Sequence, residues 1–329
     1  MSRRTTPART TTDAASRAAT GAGRRATERA EVVKTWKLFI GGAYPRGESG
    51  KTMPLLDVKG ELVAHLCAAS RKDLREAVEA ARGAQGSWAK ATPFLRGQVV
   101  YRLAEMLQSR HEELAAACRV ATGCGRREAA REVADALDSL VSMAGWADKA
   151  SMVLGSQNPV AGPFYNFTSV EAAGVVALVA QGSFAEVCAA IGAAMAMGNS
   201  VVVVATPEIA LPCLIVSEAC SCSDVPGGVV NVLTADPSEL ASSLAGIIAS
   251  HRDIRVVHAW LGDGGEGGNG GKGGDGAGST IETTLQAGTA ENMKRVHVHG
   301  AGDRIELLRT PTFLAQMVEL KTVWMPRAV

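Results

Sequence analysis

Short, continuous apolar runs alternate with segments of helical spacing through the middle of the chain. Residues 175–179 and 201–204 are valine-rich runs that begin or end at a turn residue. Runs of this length are typical of parallel strands that are buried on both faces. The segments AAGVVALVAQGSF, AAIGAAMAMGN, SVVVVATPE and DVPGGVVNVL therefore predict a strand, helix, strand, helix, strand order. The predicted fold class is α/β, a Rossmann-like parallel sheet with helices on both faces.

Three amphipathic helices are predicted ahead of this sheet. Ser70 is a candidate N-cap, with Asp73 three residues further on. Apolar residues recur at helical spacing over residues 74–81, 95–114 and 133–144. We expect these three helices to cover one side of the sheet.

The predicted domain organisation has four parts. Residues 1–35 form a basic tail that we expect to be disordered, with seven arginines before residue 30. Residues 36–260 form an α/β domain whose order of strands and helices is typical of a nucleotide-binding domain. Residues 261–280 form a linker, because GDGGEGGNGGKGGDGAG contains no apolar residue larger than alanine and cannot bury a core. Residues 281–329 form a C-terminal β segment, in which we expect VHVH and ELKTVW to make a small sheet with His297 and His299 on an exposed face.

The net charge, the length of the apolar runs and the cysteines argue against a nucleic-acid-binding, membrane-spanning or disulfide-rich protein. The net charge of +1 gives no reason to expect a nucleic-acid partner, and no apolar run of about 18 residues predicts a membrane span. The seven cysteines lie mostly in apolar stretches, which favours buried thiols in a reducing compartment over disulfides. No metal site is expected. The cytoplasm is the expected location, but the Arg-, Ser- and Thr-rich amino terminus leaves a mitochondrial or plastid transit peptide open.

Several segments carry a resemblance to a known family. LFIGGAYPRGESGK, SRKDLREAVEAARGAQGSW and AGWADK resemble the opening strand, first helix and end of the third helix of the aldehyde dehydrogenase superfamily. ELKTVW, from Glu319 to Trp324, resembles the strand through which family members pair. NPVAGPFYNF, with AQGS where active members have a Pro-Trp-Asn-Phe turn, is most similar to the truncated second module of the aldehyde dehydrogenase 16 group. The resemblance implies a homo-oligomer, or a complex with a complete aldehyde dehydrogenase module, formed through this strand.

The catalytic settings of that family are missing. Active members need a cysteine nucleophile in a Gly-Gln-x-Cys setting and a glutamate base in a Glu-Leu-Gly-Gly setting, and neither occurs here. Gly182 or Ser183 replaces the asparagine of the oxyanion hole. No catalytic residue is therefore assigned. The expected function is a non-catalytic scaffold or regulatory partner. Alternatives are a subunit or fragment of an NAD(P)-dependent aldehyde dehydrogenase that is active when assembled with a complete module, and an incomplete gene product.

The resemblance also places a cofactor site after the first two buried strands. Its candidate residues are Gln181, Gly182, Ser183, Thr206 and Glu208. Val204 and Ala205 stand where the family sets a lysine against the ribose and phosphates. A charge-assisted hydrogen bond is worth roughly 1.5–3 kcal/mol, so the loss of that lysine weakens binding by about 10- to 100-fold. We expect no cofactor, or weak NAD(P) binding.

The charge of the residues around this site also predicts weak binding of NAD(P). No lysine or arginine occurs between Lys149 and Arg252, a stretch that contains Glu171, Glu186, Glu208, Glu218, Asp224, Asp236 and Glu239. We expect these seven acids to be uncompensated, so that their field opposes an anionic dinucleotide.

Overall fold

Strands and helices alternate along the part of the chain that this computed structural model describes, residues 32–261, 277–300 and 305–327. The strands there are β1 Thr35–Trp36, β2 Thr52–Leu56, β3 Leu62–Cys67, β4 Ser156–Gln157, β5 Phe164–Ala172, β6 Val175–Ala180, β7 Ser200–Ala205, β8 Val230–Thr234, β9 Ile254–Trp260, β10 Arg295–His299 and β11 Val318–Pro326. From Lys34 onward the described residues belong to one compact unit.

The helices differ widely in length. They are α1 Arg71–Lys90, α2 Pro93–Gln108, α3 His111–Thr122, α4 Arg126–Trp146, α5 Ala150–Leu154, α6 Phe184–Ala196, α7 Pro207–Cys222, α8 Pro237–Glu239, α9 Ala245–Ser250, α10 Ala277–Gly288, α11 Ile305–Leu308 and α12 Pro311–Ala315. A π-helical turn, Leu240–Leu244, joins α8 to α9, and a 3-10 turn, Thr289–Glu291, follows α10. No helix among the described residues is long and apolar enough to cross a membrane.

The central sheet is parallel and has the strand order β10-β9-β6-β7-β8. Every residue of β6, β7 and β8 is buried. Continuous apolar sequence is required there because helices cover both faces of the sheet. The predicted α/β class is confirmed. Smaller three-stranded sheets have the orders β1-β3-β2 and β11-β5-β4.

The helices divide between the two faces. Along β6, Val175, Ala177 and Val179 pack into a core shared with α1, α9 and α10. Val176 and Leu178 pack into the opposite core, which contains α2, α3, α4, α6 and α7. The expectation that the three leading helices share one side is therefore wrong. Since α6 and α7 already cover one face, α1 is needed on the other.

Local helix signals agree with the structure at α1 and at α4, which contains residues 133–144, but not at the segment between them. Ser70 caps α1, and Asp73 Oδ2 accepts a hydrogen bond from Ser70 N at 2.7 Å, which completes the expected capping box. The apolar spacing over residues 95–114, in contrast, spans two helices. The chain turns between α2 and α3, where Arg110 forms ion pairs with Glu113 and with Glu218 of α7.

The chain after residue 276 differs from its sequence prediction. Residues 262–276, most of the predicted linker, lie outside the described residues, as does the tail before residue 32. Residues 277–280 open helix α10, which packs on α9 through Ile281 and Leu285. Strand β10 joins the central sheet beside β9. The predicted small sheet of VHVH and ELKTVW is therefore wrong, since β10 completes the hydrogen bonding of β9.

Strand β11 is antiparallel to β5 along its full length. The register runs from Val318 opposite Ala172 to Pro326 opposite Phe164. β5 lies between β11 and β4, so β11 is the edge of its sheet. Leu320, Trp324 and Met325 are exposed on it.

Candidate ligand site at the carboxyl edge of the sheet

The predicted site residues lie where strands of the central sheet end. Gln181, Gly182 and Ser183 follow β6, whereas Thr206 and Glu208 follow the neighbouring strand β7. The chain continues from β6 to β7 and β8 on one side and returns to β9 and β10 on the other. The space beyond the carboxyl ends of β6 and β9 is thus the topological switch point, where open α/β sheets bind ligands.

A cavity of about 490 Å³ occupies this position. Its volume lies within the range of roughly 300–1,000 Å³ that is usual for small-molecule sites. Its walls include Gln181, Gly182, Ser183, Trp260 and His299, together with Glu128, Arg131, Glu132 and Asp135 from one face of α4. A smaller cavity of about 220 Å³ adjoins it and shares Gly182 and Ser183.

The structure brings the predicted residues together only in part. The larger cavity gathers Gln181, Gly182 and Ser183, and the smaller one adds Glu208. Thr206 lines neither, because it is buried, with its Oγ1 3.4 Å from the carbonyl oxygen of Ala180. Their role in binding a cofactor stays a prediction.

The amino end of α6 is closed by carboxylates of the chain itself. Ser183 caps the helix, and its backbone N–H donates to Glu186 Oε2 at 3.1 Å. Glu132 comes from α4: its Oε1 accepts hydrogen bonds from Ser183 Oγ at 2.5 Å and from Ala185 N at 3.0 Å. A carboxylate is favoured here because the N–H groups and the dipole of the helix both present positive charge.

Sequence reasoning missed Glu132. Its only signal was spacing: Glu128, Glu132 and Asp135 recur at intervals of four and three residues, which places them on one face of a helix. Which element that face meets depends on the packing of α4 on α6, which the local residue pattern does not specify.

Two of the seven acids between Lys149 and Arg252 have a compensating cation, contrary to the prediction. Burial alone would raise the pKa of Glu218, but hydrogen bonds from Arg110 at 2.6 Å and Lys34 at 3.1 Å lower it. Glu171 lies 3.3 Å from Lys321. That expectation is wrong for these two carboxylates, because the fold supplies cations from outside the stretch.

A stack of rings lies beside the larger cavity. In the pairing of β9 with β10, His297 is opposite His258 and His299 is opposite Trp260, so all four side chains share one face of the sheet. The rings of His258 and His297 are 4.8 Å apart, and those of Trp260 and His299 are 4.5 Å apart. The ring of Phe313, from α12, meets that of His258 edge-on at 5.2 Å.

This stack corrects the expectation that His297 and His299 lie on an exposed face. His299 is buried and His297 is half-buried, because β10 pairs with β9 and Phe313 covers the rings. Burial lowers the pKa of His258 well below its usual value and that of His297 to about 4. Neither ring therefore carries a charge at neutral pH.

Three ring nitrogens of this stack lack hydrogen-bond partners within the described part of the chain. They are Nε2 of His258, Nε2 of His297 and Nε1 of Trp260. Nevertheless, no group of three or more His, Cys, Asp or Glu side chains in that part is arranged to hold a metal ion. His258 and His297 are thus neutral rings of a stack whose Trp260 and His299 lie at the wall of the cavity.

Four of the buried cysteines have little nucleophilic character. Burial raises the pKa of Cys118, which lines the smaller cavity, to about 12. Burial likewise raises the pKa of Cys188, Cys213 and Cys220. These thiols stay protonated at neutral pH, and the thiolate is the reactive form. Cys124 is half-buried and lines the smaller cavity, and Cys222 is exposed.

Comparison with known proteins agrees with this architecture. Residues 46–260 match the aldehyde dehydrogenase family. The chain is 30% identical over 271 residues to an aldehyde dehydrogenase of Aspergillus niger, covering 80% of this chain and 50% of that protein. It is 32% identical over 204 residues to "Benzaldehyde dehydrogenase, mitochondrial" of Antirrhinum majus, covering 60% of this chain and 38% of that protein. The chain thus spans about half the length, or less, of these curated relatives.

Solved structures show the same fold. The NAD+ complex of an aldehyde dehydrogenase from Bacillus cereus superimposes with a TM-score of 0.70 at 24% identity, covering 81% of this chain and 51% of that chain. The sheet order, the cavity at its switch point and a family match over more than half of the sequence lead to one conclusion. The chain belongs to the aldehyde dehydrogenase family.

Proposed function

We propose that this chain is a non-catalytic member of the family that acts as a scaffold or regulatory partner. The observation that carries the proposal is the lining of the larger cavity. Among its described residues are carboxylates, Trp260 and His299, but no thiol. Aldehyde oxidation through a covalent intermediate requires an activated nucleophile at the reacting carbon. Weak NAD(P) binding is part of the proposal, since Glu132 and Glu186 already occupy the amino end of α6.

The proposal extends to the kind of module that this chain represents. It spans about half the length of its curated relatives, and the glycine-rich residues 262–276 lie in the sequence between β9 and α10. Together with NPVAGPFYNF and AQGS, this supports a relationship to the truncated second module of the aldehyde dehydrogenase 16 group. A module of that type would work beside a complete one.

Strand β11 is the proposed contact surface. It pairs with β5 along one side, and no strand within the described residues pairs with its other side. Leu320 is 53% exposed and Trp324 is 59% exposed, and the Trp324 ring meets that of Phe164 at 5.9 Å. An open edge with exposed apolar side chains favours pairing with another chain. The partner is a second copy or a complete aldehyde dehydrogenase module.

Sedimentation of two variants tests this surface. We expect the intact chain to self-associate, or to bind a complete module, at concentrations on the order of tens of micromolar. Leu320→Glu combined with Trp324→Glu should abolish that association, because both changes place charge in an apolar contact. Met152→Glu is the control, since Met152 is 80% exposed on the separate helix α5. An intact chain that stays monomeric and binds no such module contradicts the proposal.

A further inference from the structure

The amino end of α6 has the features of an anion site but contains a side chain. All thirteen residues of the helix are buried. Ser183 Oγ and Ala185 N both donate to Glu132, which lies 53 residues earlier in the chain than Ala185. Helix amino ends bind phosphate through such N–H groups, assisted by the helix dipole. Here a carboxylate from α4 takes the place that a ligand oxygen would take.

A second observation at the same cavity points to a missing hydrogen-bond acceptor. Trp260 lines the cavity, is only 2% exposed, and its Nε1 has no partner among the residues the structure describes. A buried indole N–H normally finds an acceptor. Trp260 also lies against Gly182: a Cβ added there would be 3.0 Å from Trp260 Cβ. Gly182 thus lets the backbone that leads into α6 approach the indole closely.

The other charged side chains of α4 that line this cavity form ion pairs or hydrogen bonds within the protein. Asp135 pairs with Arg309 at 3.5 Å and with Arg131 at 3.7 Å. Glu128 Oε2 accepts a hydrogen bond from Gly125 N at 3.4 Å at the start of α4. Glu132 therefore differs from the other acids of α4 in this cavity, because it is the one bonded to the amino end of α6.

We propose that Glu132 is a tethered anion that excludes phosphate-bearing ligands from the amino end of α6. The carboxylate satisfies two donors of the site and repels a second negative charge at the same position. Without that charge, a phosphate oxygen can displace the neutral side chain from Ser183 Oγ and Ala185 N, in the cavity that Trp260 also lines. The inference rests on the weak NAD(P) binding of the proposed function but not on the β11 contact, so phosphate titration of the chain and sedimentation of the β11 variants can fail independently.

Calorimetric titration of the purified full chain with inorganic phosphate, and separately with NAD, tests the inference. Glu132→Ala and Glu132→Gln should each bind phosphate at least about 10-fold more tightly than the unchanged chain, a difference of about 1.4 kcal/mol. Glu128→Gln is the matched control, because it removes the same charge from the same cavity without touching α6. We expect it to change affinity by less than about 3-fold.

Three results would overturn the inference. The first is a folded Glu132→Gln protein, judged by circular dichroism, that binds phosphate no more tightly than the unchanged chain. The glutamine variant is decisive here, because it removes the charge but keeps the size and shape of the side chain, which preserves the fold. The second is an equal gain from Glu128→Gln, which would make the general field responsible. The third is unchanged phosphate affinity when Trp260→Phe is added to Glu132→Gln, which would locate binding elsewhere.

Discussion

His258 and His299 lie with their rings nearly parallel, at 8°, and with Nδ1 of His258 2.9 Å from Nε2 of His299. In such a contact one nitrogen donates and the other accepts, so at least one of the two rings must be neutral. Burial lowers the pKa of His258 well below its usual value, and the positive charge of Arg295 and of any neighbouring imidazole that is protonated lowers it further. The carboxyl ends of β9 and β10 therefore depend on neutral imidazoles.

We predict that the free energy of unfolding falls as the pH falls from about 6.5 towards 4. Burial lowers the folded-state pKa of His258 well below its usual value and that of His297 to about 4, whereas both titrate near 6.5 in the unfolded chain. Below pH 6.5 the unfolded state thus binds more protons, so acid favours it. Urea unfolding midpoints across this range measure the effect. His258→Phe should flatten the dependence, and His111→Gln on α3 should not.

Lys294 closes the carboxyl end of α9 from inside the protein. Its Nζ donates to the carbonyl oxygens of Ala249 and His251, each at 2.9 Å, and to that of Ile248, while the residue is 5% exposed. We predict that Lys294→Met destabilises the fold by about 2–4 kcal/mol, because buried carbonyls lose a charged donor. Chemical denaturation measures this.

Lys149 offers the matched comparison for that change. Its Nζ donates to the Gly145 carbonyl at the end of α4 at 2.8 Å, but its side chain is 59% exposed. Lys149→Met should therefore cost less than about 0.5 kcal/mol, since water replaces the lysine. Equal losses from Lys149→Met and Lys294→Met would argue against burial as the cause.

Two helical glycines should respond oppositely to alanine. A Cβ at Gly192 of α6 would lie 3.1 Å from Leu140 Cδ2 and from Met143 Cβ, whereas a Cβ at Gly83 of α1 meets nothing within 4 Å. Gly192→Ala should cost about 1–3 kcal/mol through overpacking against α4. Gly83→Ala should stabilise the protein by up to about 1 kcal/mol through helix propensity. Thermal unfolding of both variants would show the difference, and a neutral Gly192→Ala would contradict the close packing.

We also predict that the isolated chain does not oxidise simple aldehydes with NAD. NAD should bind more weakly than about 1 mM, around −4 kcal/mol, because carboxylates occupy the amino end of α6. Coupled absorbance assays and calorimetry measure the two quantities. Turnover that survives purification and is lost on replacing one cysteine would contradict the first expectation, and micromolar binding would contradict the second.

We make a separate prediction for Val204, which by the family resemblance stands where other members have a lysine. Val204 is fully buried in the core formed with α1 and lines neither cavity. Val204→Lys should therefore destabilise the fold, because it buries an unpaired charge, and should not tighten NAD binding. A stable Val204→Lys protein with higher NAD affinity would place the side chain at the site.

The sequence by itself determined the features that depend on neighbouring residues. The valine runs of β6 and β7 predicted buried parallel strands, because only such strands need apolar side chains on both faces. The pair Ser70 and Asp73 predicted the start of α1, because a capping box lies within four consecutive residues. The position of Gln181 to Ser183 at the carboxyl edge followed from the same strand order.

Tertiary structure decided the features that join distant parts of the chain. The contact of His258 with His299 spans 41 residues, and that of Glu132 with Ala185 spans 53. Alternation in VHVH could not distinguish an exposed hairpin from an edge of the central sheet, because local pattern does not specify a strand's partner. The same limit applied to the three leading helices, whose apolar stripes were visible while their face of the sheet was not. Only strand pairing and helix packing between segments far apart in the sequence determine which histidines are buried and which carboxylate caps α6.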